Sequence, residues 1–491
     1  MQSSRSFKAL LLASGSLLAK VSGLASAVIL ARYLSKEDYS TYRQALLAYG
    51  TAAPLLALGL PKALYYFLPG EKKRPGGIFL ENLLLLVLMG AIFMIGLWLG
   101  GAELLAGRFN NPDLAATLLI FAPFALFMLP QGAFSACMMG RDRVYWVAIA
   151  EPLGKVMMTL IVIIAAFTLG GSRGPIIGAV IGSALLFVPL TGLMFHACRG
   201  GDWTVTGKGM MNQLSYSIPL GFAAMVGTMA GNLDKIVVSS LGTPGEFAVY
   251  VNGAMHLPIV GIITGSVVSV LLPDMAACFK KGEYEKAIGM WQRAAVKCGL
   301  FLVPAGILLM GLAPEFVVML YGQRYEESAL PFALYAMLVP VGSISFGSAL
   351  LAAGRAKLVL AQAIGALVLN LIFTLVAVSC FGIFAAAAAT VASYYLWGIS
   401  SNTYFIARVY RIHWAHVIPV GPLLRIVCIS IVAGICCLLP PVFEGSPVLR
   451  LLIMGFAFGG IVLLCYLRSG LVDKEDFERV FRRLVHRSPS R

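Results

Sequence analysis

The sequence predicts an all-α polytopic membrane protein with about fourteen transmembrane helices. Only 12% of its 491 residues are charged and 59% are hydrophobic, with a mean hydropathy of +0.87, whereas soluble domains carry about 25% charged residues. Apolar runs of roughly 20 residues, long enough to cross a ~30 Å hydrocarbon core, recur along the whole chain. A soluble core could not bury this much apolar surface, so we expect lipid to cover it.

The first apolar run follows a basic start and therefore has the pattern of a signal peptide. It continues to Leu34 without a small-residue cleavage site followed by a soluble domain, so we predict that it is kept as the first helix. The predicted spans are 9–33, 44–68, 79–100, 114–138, 145–169, 175–197, 213–241, 247–272, 295–313, 330–352, 357–380, 383–406, 420–440 and 448–467. Because their number is even, both termini are predicted to lie on one side of the membrane.

Charge asymmetry predicts that this side is the cytoplasm. With a cytoplasmic N-terminus, the inner segments hold 26 of the 37 Lys and Arg residues, the outer segments hold 7, and 4 lysines lie within helices. The positive-inside rule therefore favours cytoplasmic termini. The net charge of +15 belongs mostly to the inner face and suits anionic lipid headgroups. It comes with no aromatic–basic nucleic-acid module, so no nucleic-acid partner is predicted.

No cofactor, metal site or catalytic centre is predicted. The nine cysteines lie mostly inside or beside apolar segments and form no Cys-x-x-Cys pair with histidine partners, as is typical of buried apolar cysteine. The outer loops are too short for a soluble catalytic domain. The sequence has no Asp-x-Asp, His-Glu-x-x-His, phosphate-loop or Ser/His/Asp arrangement, so we predict that the protein is not an enzyme.

Two segments with apolar residues at i, i+3, i+4 and i+7 are predicted to lie as amphipathic helices at the inner membrane surface. The first has Tyr284, Ala287, Ile288 and Trp291, and the second, in the basic tail, has Phe477, Val480, Phe481 and Leu484. The alternative for both is docking to cytoplasmic partners.

An internal repeat divides the chain. Residues 29–42 align without gaps on residues 237–250, so that Tyr42 meets Tyr250 at an offset of 208 positions. Both copies lie where a first apolar helix ends and a second begins, which predicts two related six-helix lobes with the substrate path between them. The predicted domains are a lobe at 1–212, a lobe at 213–412, helices thirteen and fourteen at 413–467, and a cytoplasmic amphipathic basic tail at 468–491.

The motifs EDYSTY (37–42), SYSIPLGF (215–222), NLDKIVV (232–238) and FAVY (247–250), together with fourteen helices, resemble those of a known family. It is the oligosaccharide-lipid flippases, or polysaccharide transporters, of the multidrug/oligosaccharidyl-lipid/polysaccharide exporter (MOP) superfamily. The resemblance implies a protein of the bacterial inner membrane that turns an undecaprenyl-pyrophosphate-linked glycan from the inner to the outer leaflet by alternating access. It implies the lipid-linked glycan and membrane lipids as partners, with a polysaccharide polymerase or assembly proteins as further candidates.

Charged side chains inside the predicted helices are the candidates for function, because a charge at the bilayer centre costs about 2.5–3.5 kcal/mol on insertion scales. Lys20 lies near the middle of the first helix, with Ser16 and Gly23 on the same face. Such a small and polar face packs on another helix or lines a wet cavity, and we predict that Lys20 lines a cavity. Lys62 follows a proline that interrupts the helix ladder, so it is either a site residue or a lysine that reaches the inner interface.

The remaining charges come in two neighbouring pairs. Glu151 and Lys155 are four residues apart with the acid first, so they are predicted to neutralise each other on one helix. Asp234 and Lys235 are adjacent and point about 100° apart on a helix, which makes them a poor mutual pair. Asp234 is either an ion-coupling residue, which takes up a proton or a sodium ion when the cavity is empty, or part of an interhelical salt bridge.

The cavity between the lobes is predicted to be net basic. Lys20, Lys235 and Lys62 are the predicted substrate-binding cations, and Asn252 and His256, four apart on helix eight, are the predicted hydrogen-bonding groups. Lysines in a low-dielectric wall attract a pyrophosphate, while amide and hydroxyl groups can bond the sugar.

Three rival functions stay open. A multidrug or cation antiporter of the same superfamily would need an acidic or aromatic cavity, whereas lysines outnumber acids in these helices. A membrane-embedded glycan polymerase or ligase would need a larger extramembrane region or a metal-binding acidic pair. A flippase for lipid-linked peptidoglycan precursors shares the fold but, by resemblance, tends to carry arginines in its cavity.

Overall fold

The structure is a computed structural model that describes residues 5–438 and 446–471, with the side chains of 14–437 and 446–471. Within these residues every regular element is a helix, which confirms the predicted all-α membrane fold. The predicted tail helix, with Phe477 and Leu484, lies outside the described residues.

The helices follow one another with short connections. The first twelve are α1 (Arg5–Tyr33), α2 (Lys36–Ala57), α3 (Leu60–Phe67), α4 (Pro75–Gly96), α5 (Ala102–Arg108), α6 (Asp113–Phe121), α7 (Phe124–Gln131), α8 (Phe134–Gly140), α9 (Val144–Leu169), α10 (Arg173–Ala197), α11 (Gly207–Leu241) and α12 (Pro244–Gly253). The others are α13 (Pro258–Lys280), α14 (Tyr284–Gly311), α15 (Ala313–Tyr321), α16 (Ala329–Ala336), α17 (Leu338–Val341), α18 (Phe346–Ala352), α19 (Ala356–Phe381), α20 (Ala385–Ser393), α21 (Ser400–Tyr410), α22 (Val420–Leu438) and α23 (Pro447–Arg468). Residues 97–101 and 394–399 are π-helical, and residues 323–328 and 414–416 are 3-10 helical.

Twelve helical segments of the described chain are long and apolar enough to cross a membrane. A thirteenth is added if α6 and the run Phe124–Gly140, bent by 52°, count as one span. The predicted span at 383–406 is not among them. It is helical but interrupted by the π-helical residues 394–399, and its second half carries serine, asparagine and tyrosine side chains that make it less apolar.

The chain packs as two compact units. One takes its described residues from Met1–Ala254 and Leu360–Gly398, and the other takes them from Met255–Val359 and Ile399–Arg491. The first unit includes α11 and α12 because these helices pack on α2 and α3. The lobe boundaries drawn from the repeat stay a prediction.

The second helix of each repeat, α2 and α12, begins with a similar N-cap. The Ser35 hydroxyl accepts the Asp38 N–H at 3.0 Å at the start of α2. At the same offset of 208, the Thr243 hydroxyl accepts the Glu246 N–H at 3.3 Å, and the Glu246 carboxylate accepts the Thr243 N–H at 2.8 Å. Such caps satisfy backbone donors that the first turn leaves unpaired.

The predicted surface helix around Trp291 is wrong. It is the first part of the continuous helix α14, and its apolar face lies in the core of the second unit, with Ala287 and Trp291 at most 2% exposed. The Trp291 indole donates to the Ser345 carbonyl at 3.0 Å. An apolar stripe at helical spacing fits a protein core as well as a lipid surface, and here the stripe packs against protein.

A sharp break separates α2 from α3 just before Lys62. Leu58 and Gly59 both adopt left-handed backbone conformations, with φ of 47° and 73°. A Cβ atom on Gly59 would lie 2.5 Å from the Ser217 carbonyl oxygen of α11, so only glycine fits this elbow without displacing α11.

The start of α11 is fixed to α4 by a buried carboxylate that the sequence pattern did not indicate. Glu81 is 1% exposed and accepts from the Arg74 guanidinium at 2.6 Å, the Thr206 N–H at 2.9 Å and the Gln213 amide at 3.3 Å. In the adjoining loop the Thr204 hydroxyl donates to Asp202 at 2.6 Å, and this bond holds the pKa of Asp202 below its ordinary value. The loop and the start of α11 are therefore held in one conformation.

Replacing Glu81 with alanine is expected to destabilise the protein by roughly 2–4 kcal/mol, because it removes the buried acceptor that Arg74, Gln213 and the Thr206 N–H share. This loss of stability is smaller than that expected for a fully buried ion pair, because the Arg74 side chain is 32% exposed. The apparent Tm of the detergent-solubilised protein measures the change. Glu285→Ala, at an exposed position on α14, is the control and should shift stability by no more than about 0.5 kcal/mol. Equal Tm values for the two variants would contradict the role given to Glu81.

Candidate functional site

A cavity of about 250 Å³ lies between α1 and α9 in the first unit. Lys20, Glu151 and Lys155 all line it, and Lys20 and both members of the α9 pair are exposed. The remaining lining residues are small or apolar: Gly15, Ser16, Ala19, Val147, Ala148 and Pro152. We call this the Lys20 cavity.

Close packing of the two helices on one side of the Lys20 cavity sets its shape. A Cβ atom on Gly15 would lie 2.7 Å from the Pro152 ring and 3.0 Å from the Ala148 carbonyl oxygen. Farther along the same interface, the Thr159 hydroxyl donates to the Ser22 carbonyl at 3.3 Å. The small face of α1 therefore packs on α9, and Ser16 and Lys20 border the space left beside that contact.

The charges of the Lys20 cavity are two ammonium groups and one carboxylate. Among the residues whose side chains are described, no ion pair involves Lys20, and none joins Glu151 to Lys155, although the two lie four apart on α9. The intrahelical pair stays a prediction, and in this structure its two members share a cavity with Lys20. With both lysines protonated and Glu151 ionised the cavity carries one net positive charge, which can attract an anion.

A second cavity of about 440 Å³ in the same unit carries the opposite charge balance. Asp38, Asp113 and Arg173 line it, together with the turn at Gly170 and Gly171. Asp38 already accepts the Ser172 N–H at 2.9 Å. Two carboxylates against one guanidinium make this space less suited to an anion than the Lys20 cavity.

Lys62 and Lys235 lie away from the lining of the Lys20 cavity. Lys62 is exposed in the first turn of α3, directly after the elbow at Gly59. The Lys235 side chain is 12% exposed, and its ammonium lies 3.9 Å from an Asp234 carboxylate oxygen and 3.5 Å from the Gly231 carbonyl oxygen. The adjacent pair thus makes a long contact, in agreement with the poor geometry expected from its spacing.

Asp234 lies in the α11–α12 hairpin and is 1% exposed. Its second carboxylate oxygen accepts from the Tyr250 hydroxyl at 2.6 Å. In the first repeat, the offset of 208 pairs Tyr42 with Tyr250 and Ser26 with Asp234. The first repeat therefore has a neutral side chain at the position where the second repeat has a carboxylate.

The two predicted hydrogen-bonding groups of helix eight lie in different units. Asn252 is buried on α12, and its amide oxygen accepts from the Tyr39 hydroxyl at 2.7 Å. His256 lies in the break between α12 and α13, in the second unit, with its ring centroid 5.3 Å from that of Tyr335. The spacing of four residues does not place them on one face because α12 ends at Gly253.

Sequence reasoning missed Arg43 and Gln44. The predicted spans 9–33 and 44–68 leave Arg43 in a connecting loop. The structure instead begins α2 at Lys36 and places Arg43 in its second turn, with its guanidinium 5.8 Å from the Tyr39 ring centroid. The Ser35–Asp38 cap could have located this helix start. The repeat could have found Gln44, because the offset of 208 pairs it with Asn252, a second buried amide.

Comparisons with known proteins agree with this fold. The chain is 24% identical over 200 residues to the capsular polysaccharide biosynthesis protein CapF of Staphylococcus aureus. The match covers 40% of this chain and 49% of CapF, so the chain spans about half the length of this curated relative.

Two solved structures share the fold of the chain. The lipid II flippase MurJ in an inward closed conformation matches with a TM-score of 0.76 and 18% identity over 94% of this chain and all of MurJ. A multidrug resistance MATE transporter of the MOP superfamily, in an inward-facing conformation, matches with a TM-score of 0.64 and 14% identity over 80% of this chain and 96% of that protein.

A family model described as polysaccharide biosynthesis protein matches residues 29–330, which is more than half of the chain. This match and the shared fold confirm the resemblance drawn from the motifs. The chain belongs to the polysaccharide biosynthesis protein family.

Proposed function

We propose that the protein is a flippase that moves an undecaprenyl-pyrophosphate-linked oligosaccharide from the inner to the outer leaflet of a bacterial inner membrane by alternating access. The observation that carries the proposal is a net positive cavity, lined by Lys20, inside the membrane fold of a polysaccharide biosynthesis protein. A lysine at this depth is costly without an anionic partner, and a pyrophosphate supplies one.

Different groups of the protein bind the pyrophosphate and the sugar of the substrate. The ammonium groups of Lys20 and Lys155 attract the pyrophosphate, and Glu151 limits how tightly the anion is held, so that it can leave. Amide and hydroxyl groups bond the sugar, and the polyprenyl chain stays in lipid. Lys62, Lys235 and His256 lie elsewhere along the chain and would meet the substrate at other stages of the cycle.

The orientation follows from the charge asymmetry. Both termini face the cytoplasm, and the basic inner face lies against anionic lipid headgroups. Asp234 is the candidate for coupling transport to a proton or a sodium ion. A polysaccharide polymerase or other assembly proteins would take over the glycan on the outer side.

The shared fold with MATE transporters supports one second candidate, a multidrug or cation antiporter. The charges of the Lys20 cavity argue against it, since two lysines and one glutamate repel a cation. The larger cavity, which Asp38 and Asp113 line, has the excess of carboxylates over cations that an antiporter of cations would need.

Deleting the gene in its host is expected to stop surface polysaccharide production, while the lipid-linked oligosaccharide accumulates on the inner leaflet. The reason is that a charged pyrophosphate with a hydrated sugar does not cross the hydrocarbon core unaided. Mass spectrometry of extracted lipids measures the accumulation, and a membrane-impermeant sugar-oxidising reagent reports the leaflet. Complementation with the wild-type gene is the control. Normal polysaccharide together with increased sensitivity to cationic drugs would instead favour the antiporter.

A further inference from the structure

Four buried polar side chains join the two repeats at the end of the bundle that the charge asymmetry assigns to the outside. We call them the outer seam: Tyr39 and Gln44 on α2, Ser239 on α11 and Asn252 on α12. The Gln44 amide donates to the Ser239 hydroxyl at 3.0 Å, and the Tyr39 hydroxyl donates to the Asn252 amide oxygen at 2.7 Å. All four side chains are at most 1% exposed, so the outer seam is closed in this structure.

The two amides of the outer seam occupy equivalent positions. The offset of 208 residues that aligns the repeats also pairs Gln44 with Asn252. Gln44, in the first repeat, contacts Ser239 of the second, and Asn252, in the second, contacts Tyr39 of the first. Each repeat therefore contributes one of two related amides to the contact, although their partners Ser239 and Tyr39 align on Ala31 and Phe247 and are not themselves equivalent.

Each side of the outer seam is also held by bonds within its own repeat. In the first repeat, the Asn111 amide donates to Gln44 at 2.6 Å and to Thr41 at 2.8 Å. In the second, Tyr250 donates to Asp234 at 2.6 Å. The bonds across the seam thus join two sides that are separately ordered, and each side can keep its shape when the bonds between them break.

We propose that the outer seam is the outer gate of the transport cycle, which is closed here and separates when the cavity opens outward. The proposal rests on the proposed flippase function. The two bonds across the outer seam, Gln44 to Ser239 and Tyr39 to Asn252, join neutral groups. Such bonds exchange for water with a small net change in free energy, whereas separating a buried ion pair leaves uncompensated charges. Once separated, the Gln44 and Asn252 amides face the exit path and can bond the sugar hydroxyls of the departing glycan.

Labelling of a buried position tests the gate without reference to the cargo. Ser239→Cys places a thiol in the outer seam, and residue-resolved mass spectrometry distinguishes it from the nine native cysteines. Adding Tyr39→Phe is expected to raise the labelling rate of this thiol by an impermeant maleimide, applied from outside, about tenfold, because the closed state loses the hydrogen bond from Tyr39 to Asn252. Ser183→Cys, buried on α10, is the control reporter and should label equally with and without Tyr39→Phe. An unchanged rate at position 239 would overturn the proposal.

Cross-linking links the gate to transport. In the Gln44→Cys/Ser239→Cys variant, a short bis-methanethiosulfonate is expected to lower glycan export at least about tenfold relative to the same variant before linking, and a reductant should restore it. Thr41→Cys/Asn111→Cys is the matched control, since it joins residues within the first repeat and should export equally before and after linking. Export that continues through a linked seam, or a seam that never links in exporting cells, would contradict the gate. If the lipid-linked glycan does not accumulate when the gene is deleted, the proposed flippase function is contradicted instead.

Discussion

Lys20→Ala is expected to abolish glycan export, with surface polysaccharide falling at least about tenfold in a deletion strain that carries the variant. Lys20 lines the cavity between α1 and α9, and no ion pair involves it among the side chains that the structure describes. Its ammonium group is therefore available to the pyrophosphate, and alanine leaves Glu151 and Lys155 to cancel each other's charge. Lys20→Arg keeps the charge and should retain export if the role is electrostatic.

Two measurements separate this role from a structural one. Immunoblots of membrane fractions should show equal amounts of the wild-type protein and the Lys20→Ala variant, since alanine is well tolerated in a helix. Lys297→Ala is the matched control: this lysine is exposed on α14, outside the candidate site, and its loss should leave export unchanged. Normal surface polysaccharide in the Lys20→Ala strain would remove Lys20 from the substrate path.

Hydropathy predicted most of the membrane-spanning helices, because hydropathy depends on the local sequence and not on which helices pack together. A run of about 20 apolar residues spans the bilayer whatever its neighbours are, and most predicted spans are helices here. The span predicted at 383–406 is also helical, but it is not among the segments that are long and apolar enough to cross a membrane, because its second half carries polar side chains. The apolar stripe at Trp291 was misassigned for a related reason, because the same spacing serves a lipid-facing and a core-facing helix.

The candidate site was only partly accessible from the sequence. Spacing along one helix placed Ser16 with Lys20, and the structure has both on one cavity. Spacing cannot reveal that α9 lies opposite α1, so the sequence predicts Glu151 and Lys155 only as a pair within one helix. Glu81 was also missed, because two of its three partners, Thr206 and Gln213, are more than 100 residues away in the sequence.

The repeat helps to decide whether the charge of Asp234 has a structural role or a role in transport. The contact with Lys235 alone does not decide this. In the first repeat the offset of 208 places Ser26, a neutral side chain, at the position of Asp234, and that hairpin is equally helical. A helical hairpin of this kind therefore does not by itself require a negative charge at this position. We propose that the charge of Asp234 serves transport, for example by coupling to an ion.

Asp234→Asn is accordingly expected to fold normally and to lose export at least about tenfold, because asparagine keeps an acceptor for Tyr250 but removes the charge. Tyr250→Phe should do the reverse: it keeps the charge, lowers stability by about 1–3 kcal/mol through the lost hydrogen bond to the buried carboxylate, and retains export. The apparent Tm in detergent and the amount of surface polysaccharide measure the two effects separately. If the Asp234→Asn variant exported normally while the Tyr250→Phe variant did not, the role of the carboxylate would be structural only. Another residue would then have to couple transport to an ion.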